Sequence, residues 1–253
     1  MRLCKIDKAV LAAHESGVSW RTVPGIRSHR RFERVLRRAR WRQWIMFALP
    51  ILGKPDAMTI RKWRRLQWRD ARADLVALGL MTGELEARGI HATHDDLRQK
   101  GLSWYKYVEQ KQAMLFAYLM SEARLNGTPI DYAMIEDEDY DCVLQYRVGV
   151  KRGFSRVQLK EVAPFNPKAT IETELAKLGK YASAAQTIAA VHVNQQGPVI
   201  YSSLSKPKTS FAEIWLYSSI TADQSRWFVY GDLLKMPRGY EIAWPTRVRR
   251  QPP

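Results

Sequence analysis

"FSRVQLKEV", residues 154–162, places a glutamine two residues before a lysine inside a run of apolar and β-branched residues. Alternation of this kind reads as a β-strand, with Val157 and Leu159 on one face and Gln158 and Lys160 on the other. An amide and an ammonium do not enter such a run without a partner or a task, because burying either unpaired costs free energy. The preceding segment, "DCVLQYRVGV" at residues 141–150, alternates in the same way. It sets Asp141, Val143 and Gln145 on one face and Cys142, Leu144 and Tyr146 on the other. "KRG" at 151–153 supplies a hairpin turn between the two. A hairpin that aligns these strands brings Asp141, Gln158 and Lys160 onto one face.

Working outward, "IDYAMIE" at 130–136 is a third strand candidate. Before it, residues 104–126 carry Leu115, Tyr118 and Leu119 at helical spacing, and Gly127 and Pro129 end that helix. Glu122 follows Tyr118 by four residues and Leu119 by three, so it projects from the same face. After the hairpin, "NPKATIETELAKLGKYASAA" aligns Ile171, Leu175, Leu178 and Ala182 as a helix, and "TIAAVHVN" is a short buried-type strand. Lys177 and Lys180 lie off the apolar side of that helix and suit a solvated face. His192 and Asn194 alternate together near the strand end, as a half-buried histidine would. "EIWLYSSI" and "RWFVYGDLL" add strands or a peripheral helix. The order helix, three strands, helix, strand predicts an α/β protein with a central mixed sheet flanked by helices.

Charge divides the chain. The whole carries 41 Lys+Arg against 25 Asp+Glu, net +16, with a pI near 10.0. Residues 1–72 hold 19 of the bases and 5 of the acids, leaving 22 against 20 for the rest. A polyanionic partner such as nucleic acid is the expectation, and it belongs to the N-terminal third. Residues 1–100 accordingly read as a basic, Arg/Trp-rich helical extension, with residues 1–55 as a disordered arm in the alternative, and 101–253 as the α/β domain. Within the extension, residues 28–49 suit a helix, with Phe32, Val35, Leu36, Ala39 and Met46 on one side and Pro50 at its end. Residues 55–80 suit a second, lining up Arg61, Arg65 and Arg72 with Trp68 between them, while Trp63 and Leu66 turn away. Such a stripe can follow a phosphate backbone and stack on a base; a solvated arginine face is the alternative. "GIHATHDDLRQKG" offers His91, His94, Asp95 and Asp96 as metal ligands, or Thr93 and Asp96 as a helix-capping pair.

Cys4 and Cys142 are the only cysteines, which excludes a disulfide framework or a cysteine zinc site and suits a reducing, cytoplasmic compartment. Residues 1–19 lack the apolar stretch and cleavage site of a signal peptide. "WIMFALPILG", residues 44–53, is about half of a membrane span and is broken by Pro50, so no membrane partner is expected.

Glu122 on a helix, Asp141 at a strand start, a hairpin and then Gln158-Leu159-Lys160 on the next strand resemble the PD-(D/E)XK nuclease superfamily, in its QxK variant, over residues 105–195. The resemblance implies the restriction-endonuclease-like fold and a Mg²⁺ (or Mn²⁺) dependent DNA endonuclease that hydrolyses phosphodiester bonds. It assigns catalytic roles to Glu122, Asp141, Gln158 and Lys160, and metal binding to Asp141, the Gln158 oxygen, the Leu159 carbonyl and Glu122, directly or through water. Hard divalent cations take oxygen ligands of this kind. Many such enzymes dimerise to cut both strands, so a homodimer is admitted. Tyr140 replaces the proline of the superfamily pattern. Gln158 replaces its commoner acid, which removes a negative charge from the metal site. Asp139 shares the parity of Asp141 and is an alternative ligand, while Glu136 and Glu161 face elsewhere. The alternatives are a catalytically degenerate nucleic-acid-binding module of the same fold, and a basic interaction protein with an acidic partner.

Overall fold

The computed structural model describes residues 9, 12–13, 19–24, 26, 28–30, 32–33, 35, 57–89, 102–135, 137, 139–148, 151–164, 166, 168–182, 184–195 and 199–246. The chain forms two compact units, Met1–Pro50 and Ile51–Pro253. In the first, Ala13, Val23, Ile26 and Phe32 form a small buried cluster with Ala9 and Val35 against it. Residues 29, 30, 32, 33 and 35 are helical, in line with the start of the expected 28–49 helix, whose remainder lies outside the described residues.

The second unit is built on one eight-stranded mixed sheet in chain order. Its strands are β1 (Arg69–Asp70), β2 (Ile130–Met134), β3 (Cys142–Val148), β4 (Lys151–Val162), β5 (Thr187–Val193), β6 (Glu213–Ser219), β7 (Arg226–Gly231) and β8 (Arg238–Ala243). β1 to β4 form an antiparallel meander, β4, β5 and β6 run parallel, and β6 to β8 are antiparallel again. The helices are α1 (Ala57–Trp63), α2 (Ala71–Ala87), α3 (Leu102–Leu125) and α4 (Ile171–Lys177). The expected order of helix, three strands, helix and strand is therefore present as α3, β2–β4, α4 and β5. The basic segment at 57–89 belongs to this sheet unit.

Each sheet face has its own core. Parallel strands need crossovers that cover the sheet, which is why β6 is buried at every position from Glu213 to Ser218. On one face Val162, Ala189, Val191, Ile214 and Leu216 pack with Ile171, Leu175 and Leu178 of α4 and the turn after it. On the other, α3 lays Phe116 against Tyr217, with ring centroids 5.7 Å apart. The Tyr118 hydroxyl of α3 donates to the Ala243 carbonyl on β8 at 2.7 Å. α4 is shorter than its apolar spacing predicts: Thr170 caps it in a reciprocal pair with Thr173, and the chain tightens into a 3-10 turn at Leu178–Lys180, leaving Ala182 beyond it.

Two boundaries differ from expectation. "KRG" is not the hairpin turn, because Lys151, Arg152 and Gly153 pair with Val148, Arg147 and Tyr146. Gly153 has a packing role there: a Cβ would come within 2.5 Å of the Tyr146 ring. The 55–80 helix is broken into two. α1 stops at Trp63, and Arg69 and Asp70 leave the helix to pair with Tyr132 and Asp131 at the sheet edge. Asp70 then starts α2 by accepting the Ala73 N–H at 2.7 Å. Among the described residues no helix is long and apolar enough to cross a membrane.

Candidate metal and nucleic-acid site

β3 and β4 bring the expected trio together. Asp141 immediately precedes β3 and is tied to both neighbours, donating its N–H to the Val157 carbonyl at 2.9 Å and accepting from the Ile135 N–H at 3.0 Å. Its Oδ2 accepts two hydrogen bonds of 2.6 Å, one from Gln158 Nε2 and one from the Leu159 N–H. The polar residue inside the "VQLK" strand, only 5% exposed, thus has its partner. Lys160 lies on the same face as Gln158, with its Nζ 5.2 Å from the centre of the Tyr181 ring. Burial pushes the Asp141 carboxyl up from the ordinary range, while the Leu159 N–H and the Lys160 charge act against the rise.

Glu122 does not join them. It pairs with Arg72, whose guanidinium lies 4.9 Å above the Tyr118 ring. The wheel gave the face of α3 but not the end that overlies Asp141. β2 returns alongside α3 and ends at the Met134–Cys142 pair, so Asp141 stands at the far end of the ladder from Ile130, roughly 14 Å along the strand. The acid of α3 whose charge couples to Asp141 and Lys160 is Glu109, about 20 Å back along the helix from Glu122. Its carboxyl is pushed up by burial and then by the charge of Asp141, with Lys106 and Lys160 opposing. The signal was available: five residues of β2 retrace about eleven residues of α3, which points to its N-terminal half.

The other expected ligands fall elsewhere. Asp139 is exposed and gives its N–H to Asp137 at 3.3 Å. Glu161 faces the α3 side, where Asn194 Nδ2 donates to its Oε1 at 2.8 Å. His192 stacks on Tyr217 with centroids 5.0 Å apart, and its Nδ1 stands 3.7 Å from Glu161, beyond hydrogen-bond distance. Burial, with Lys111 adding to it, lowers its pKa to about 3, so it is the neutral, half-buried histidine the alternation suggests. Glu136, His91, Thr93, His94, Asp95 and Asp96 lie outside the described residues, as does Cys4. Cys142 is a buried free thiol.

The arginine and tryptophan stripe does not form, because the helix that would align it is interrupted. Trp68 turns inward against Phe154, centroids 6.0 Å apart, and donates its Nε1–H to the Trp63 carbonyl at 3.2 Å. Arg72 is engaged by Glu122, whereas Arg61 and Arg65 are exposed. What the break creates is a mount for α1 beside Asp141. Trp63, 2% exposed, donates from Nε1 to the Tyr140 hydroxyl at 3.3 Å. Lys62 Nζ meets Asp137 Oδ2 at 3.2 Å. Burial alone would raise the Asp137 carboxyl, but the Asp139 N–H, Lys62 and the Tyr140 hydroxyl hold it below the ordinary range. Arg156 on β4 lies 5.2 Å over the Tyr140 ring and 5.6 Å over that of Trp63.

Among the described residues no three His, Cys, Asp or Glu side chains cluster, but Mg²⁺ uses one or two carboxylates and retains water. Asp141 is one such carboxylate, with its Oδ2 taken by the Gln158 and Leu159 N–H groups. No protein-family model matches the chain, and no curated protein and no solved structure is significantly similar to it.

Proposed function

We propose that the protein is a metal-dependent DNA endonuclease of restriction-endonuclease-like architecture. The observation that carries this reading is the convergence of Asp141, Gln158 and Lys160 on one face of the β3–β4 hairpin. A bound Mg²⁺ or Mn²⁺ would polarise the scissile phosphate and lower the pKa of a water. Asp141 supplies the charged ligand. Gln158 offers its oxygen only by turning its amide over, which withdraws its N–H from Asp141 and leaves the Leu159 N–H to hold the carboxylate. Lys160, held against Tyr181, would offset the charge developing on the phosphate in the transition state.

The Gln158 bond to Asp141 also favours a second reading, a nucleic-acid-binding module of the same architecture without cleavage. An amide in place of an acid weakens cation binding, and its N–H occupies the oxygen a cation needs. Supercoiled plasmid incubated with the protein in Mg²⁺, Mn²⁺ or EDTA separates the two. Metal-dependent nicking that is lost in Lys160→Ala and Asp141→Asn supports the nuclease. Intact plasmid with salt-sensitive gel-shift binding supports the module, and neither cleavage nor binding overturns both.

A further inference from the structure

Several basic side chains of the sheet unit are matched to acids. Lys62 meets Asp137, Arg69 meets Asp74, Arg72 meets Glu122, Arg124 meets Glu213, Lys177 meets Glu174 and Arg226 meets Glu241. In α1 and the turn that follows it, Lys62 is paired in this way and its neighbours Arg61, Arg64 and Arg65 are not. All three are exposed, and none forms an ion pair among the described residues. Two acids of neighbouring segments are engaged elsewhere: Asp137 with Lys62 and Tyr140, and Asp70 with the start of α2.

These three charges are carried on a fixed support. Trp63 roots α1 in the Tyr140–Val143–Phe154 cluster on the face that also carries Gln158 and Lys160. The Lys62–Asp137 pair ties the same helix to the loop that leads into Asp141. Holding three like charges together costs energy through mutual repulsion, and a polyanion laid across them relieves it. A lipid surface fits less well. An interfacial helix buries its aromatic and aliphatic side in the headgroups, whereas here Trp63 is buried in the protein and Met58, 82% exposed, is the one large apolar side chain α1 presents to solvent.

We infer that Arg61, Arg64 and Arg65 form a phosphate-binding clamp that holds a nucleic-acid strand beside Asp141 and Lys160. This assigns the grip to the turn after Trp63, with Arg64 in place of the inward-turned Trp68 and the ion-paired Arg72. It rests on the proposed nucleic-acid function and specifies the surface that meets the backbone.

The test is fluorescence anisotropy in EDTA, with a labelled duplex and a labelled single strand, titrated between 50 and 200 mM salt. The full chain is compared with R61Q/R64Q/R65Q and with a control, K206Q/K208Q, on exposed lysines elsewhere. Far-UV circular dichroism checks that the variants fold, as exposed positions should allow. Loss of three phosphate contacts should flatten the slope of log K against log salt by up to about 2.7 on duplex and about 2.1 on single strand. The control should leave the slope unchanged. If wild type binds and the triple variant matches it in affinity and slope, the clamp is wrong while the nucleic-acid function stands. If wild type binds neither oligonucleotide, both fall. Binding instead to vesicles of anionic lipid, lost in the triple variant, would reassign the surface to a membrane.

Discussion

Replacing Trp63 with alanine should detach α1 from the sheet, and the cost can be worked from its contacts. The side chain is 2% exposed, lies 5.5 Å from Phe154 and 6.5 Å edge-on to Tyr140 between ring centroids, and supports the Arg156 guanidinium at 5.6 Å. Truncating a buried tryptophan costs about 3–5 kcal/mol, the upper part applying where neighbours cannot collapse into the space. Collapse is restricted here, because Tyr140 is also held by Asp137 and Phe154 by its β-ladder. A loss near 4 kcal/mol is a large share of the ~5–15 kcal/mol that holds a domain together. For a unit of this size each kcal/mol moves Tm by about 2–4 °C, so a fall of about 8–16 °C is expected. Thermal unfolding followed by near-ultraviolet circular dichroism reads it directly, with Trp63→Phe falling less. If Trp63→Ala lowers Tm by under about 3 °C, α1 is not rooted in this cluster. The clamp beside Asp141 would then lose its support as well.

Two further outcomes are expected. Glu213 is fully buried between Arg124 Nη1 at 2.6 Å, Trp215 Nε1 at 2.8 Å and Lys235 Nζ at 3.4 Å. Glu213→Gln removes the carboxylate paired with Arg124, whose side chain is 10% exposed, and should cost roughly 3–5 kcal/mol in chemical denaturation. Lys235→Ala, at an exposed position, should cost about 1 kcal/mol or less. His192, with its pKa lowered from 6.5 to about 3, takes up its proton in the unfolded chain first. Its contribution to stability is therefore complete above pH 6.5 and is lost as the pH falls toward 3. Its ring resonances should not titrate between pH 7.5 and 5, and a midpoint near 6.5 would refute its buried, neutral state.

Asp141, Gln158 and Lys160 were legible as a convergent set because strand alternation is local: each Cβ points opposite to its neighbour whatever the rest of the chain does. The succession of strands around a helix was legible for the same reason, as was the buried character of β5, whose sequence is apolar apart from Thr187 and His192. What local pattern could not give was which distant surfaces meet. The 55–80 segment has helical spacing along its length, yet pairing of Arg69 and Asp70 with β2 outweighs it and turns two tryptophans inward. "KRG" has turn composition, yet the Tyr146 ring across the ladder claims the space over Gly153 and keeps it in the strand. Glu122 and Glu109 lie on the same helix, and only the length and direction of β2 select between them. Residue periodicity decided faces; chain reversal, ladder register and cross-layer packing decided neighbours, because those depend on residues tens of positions apart that only the folded chain brings together.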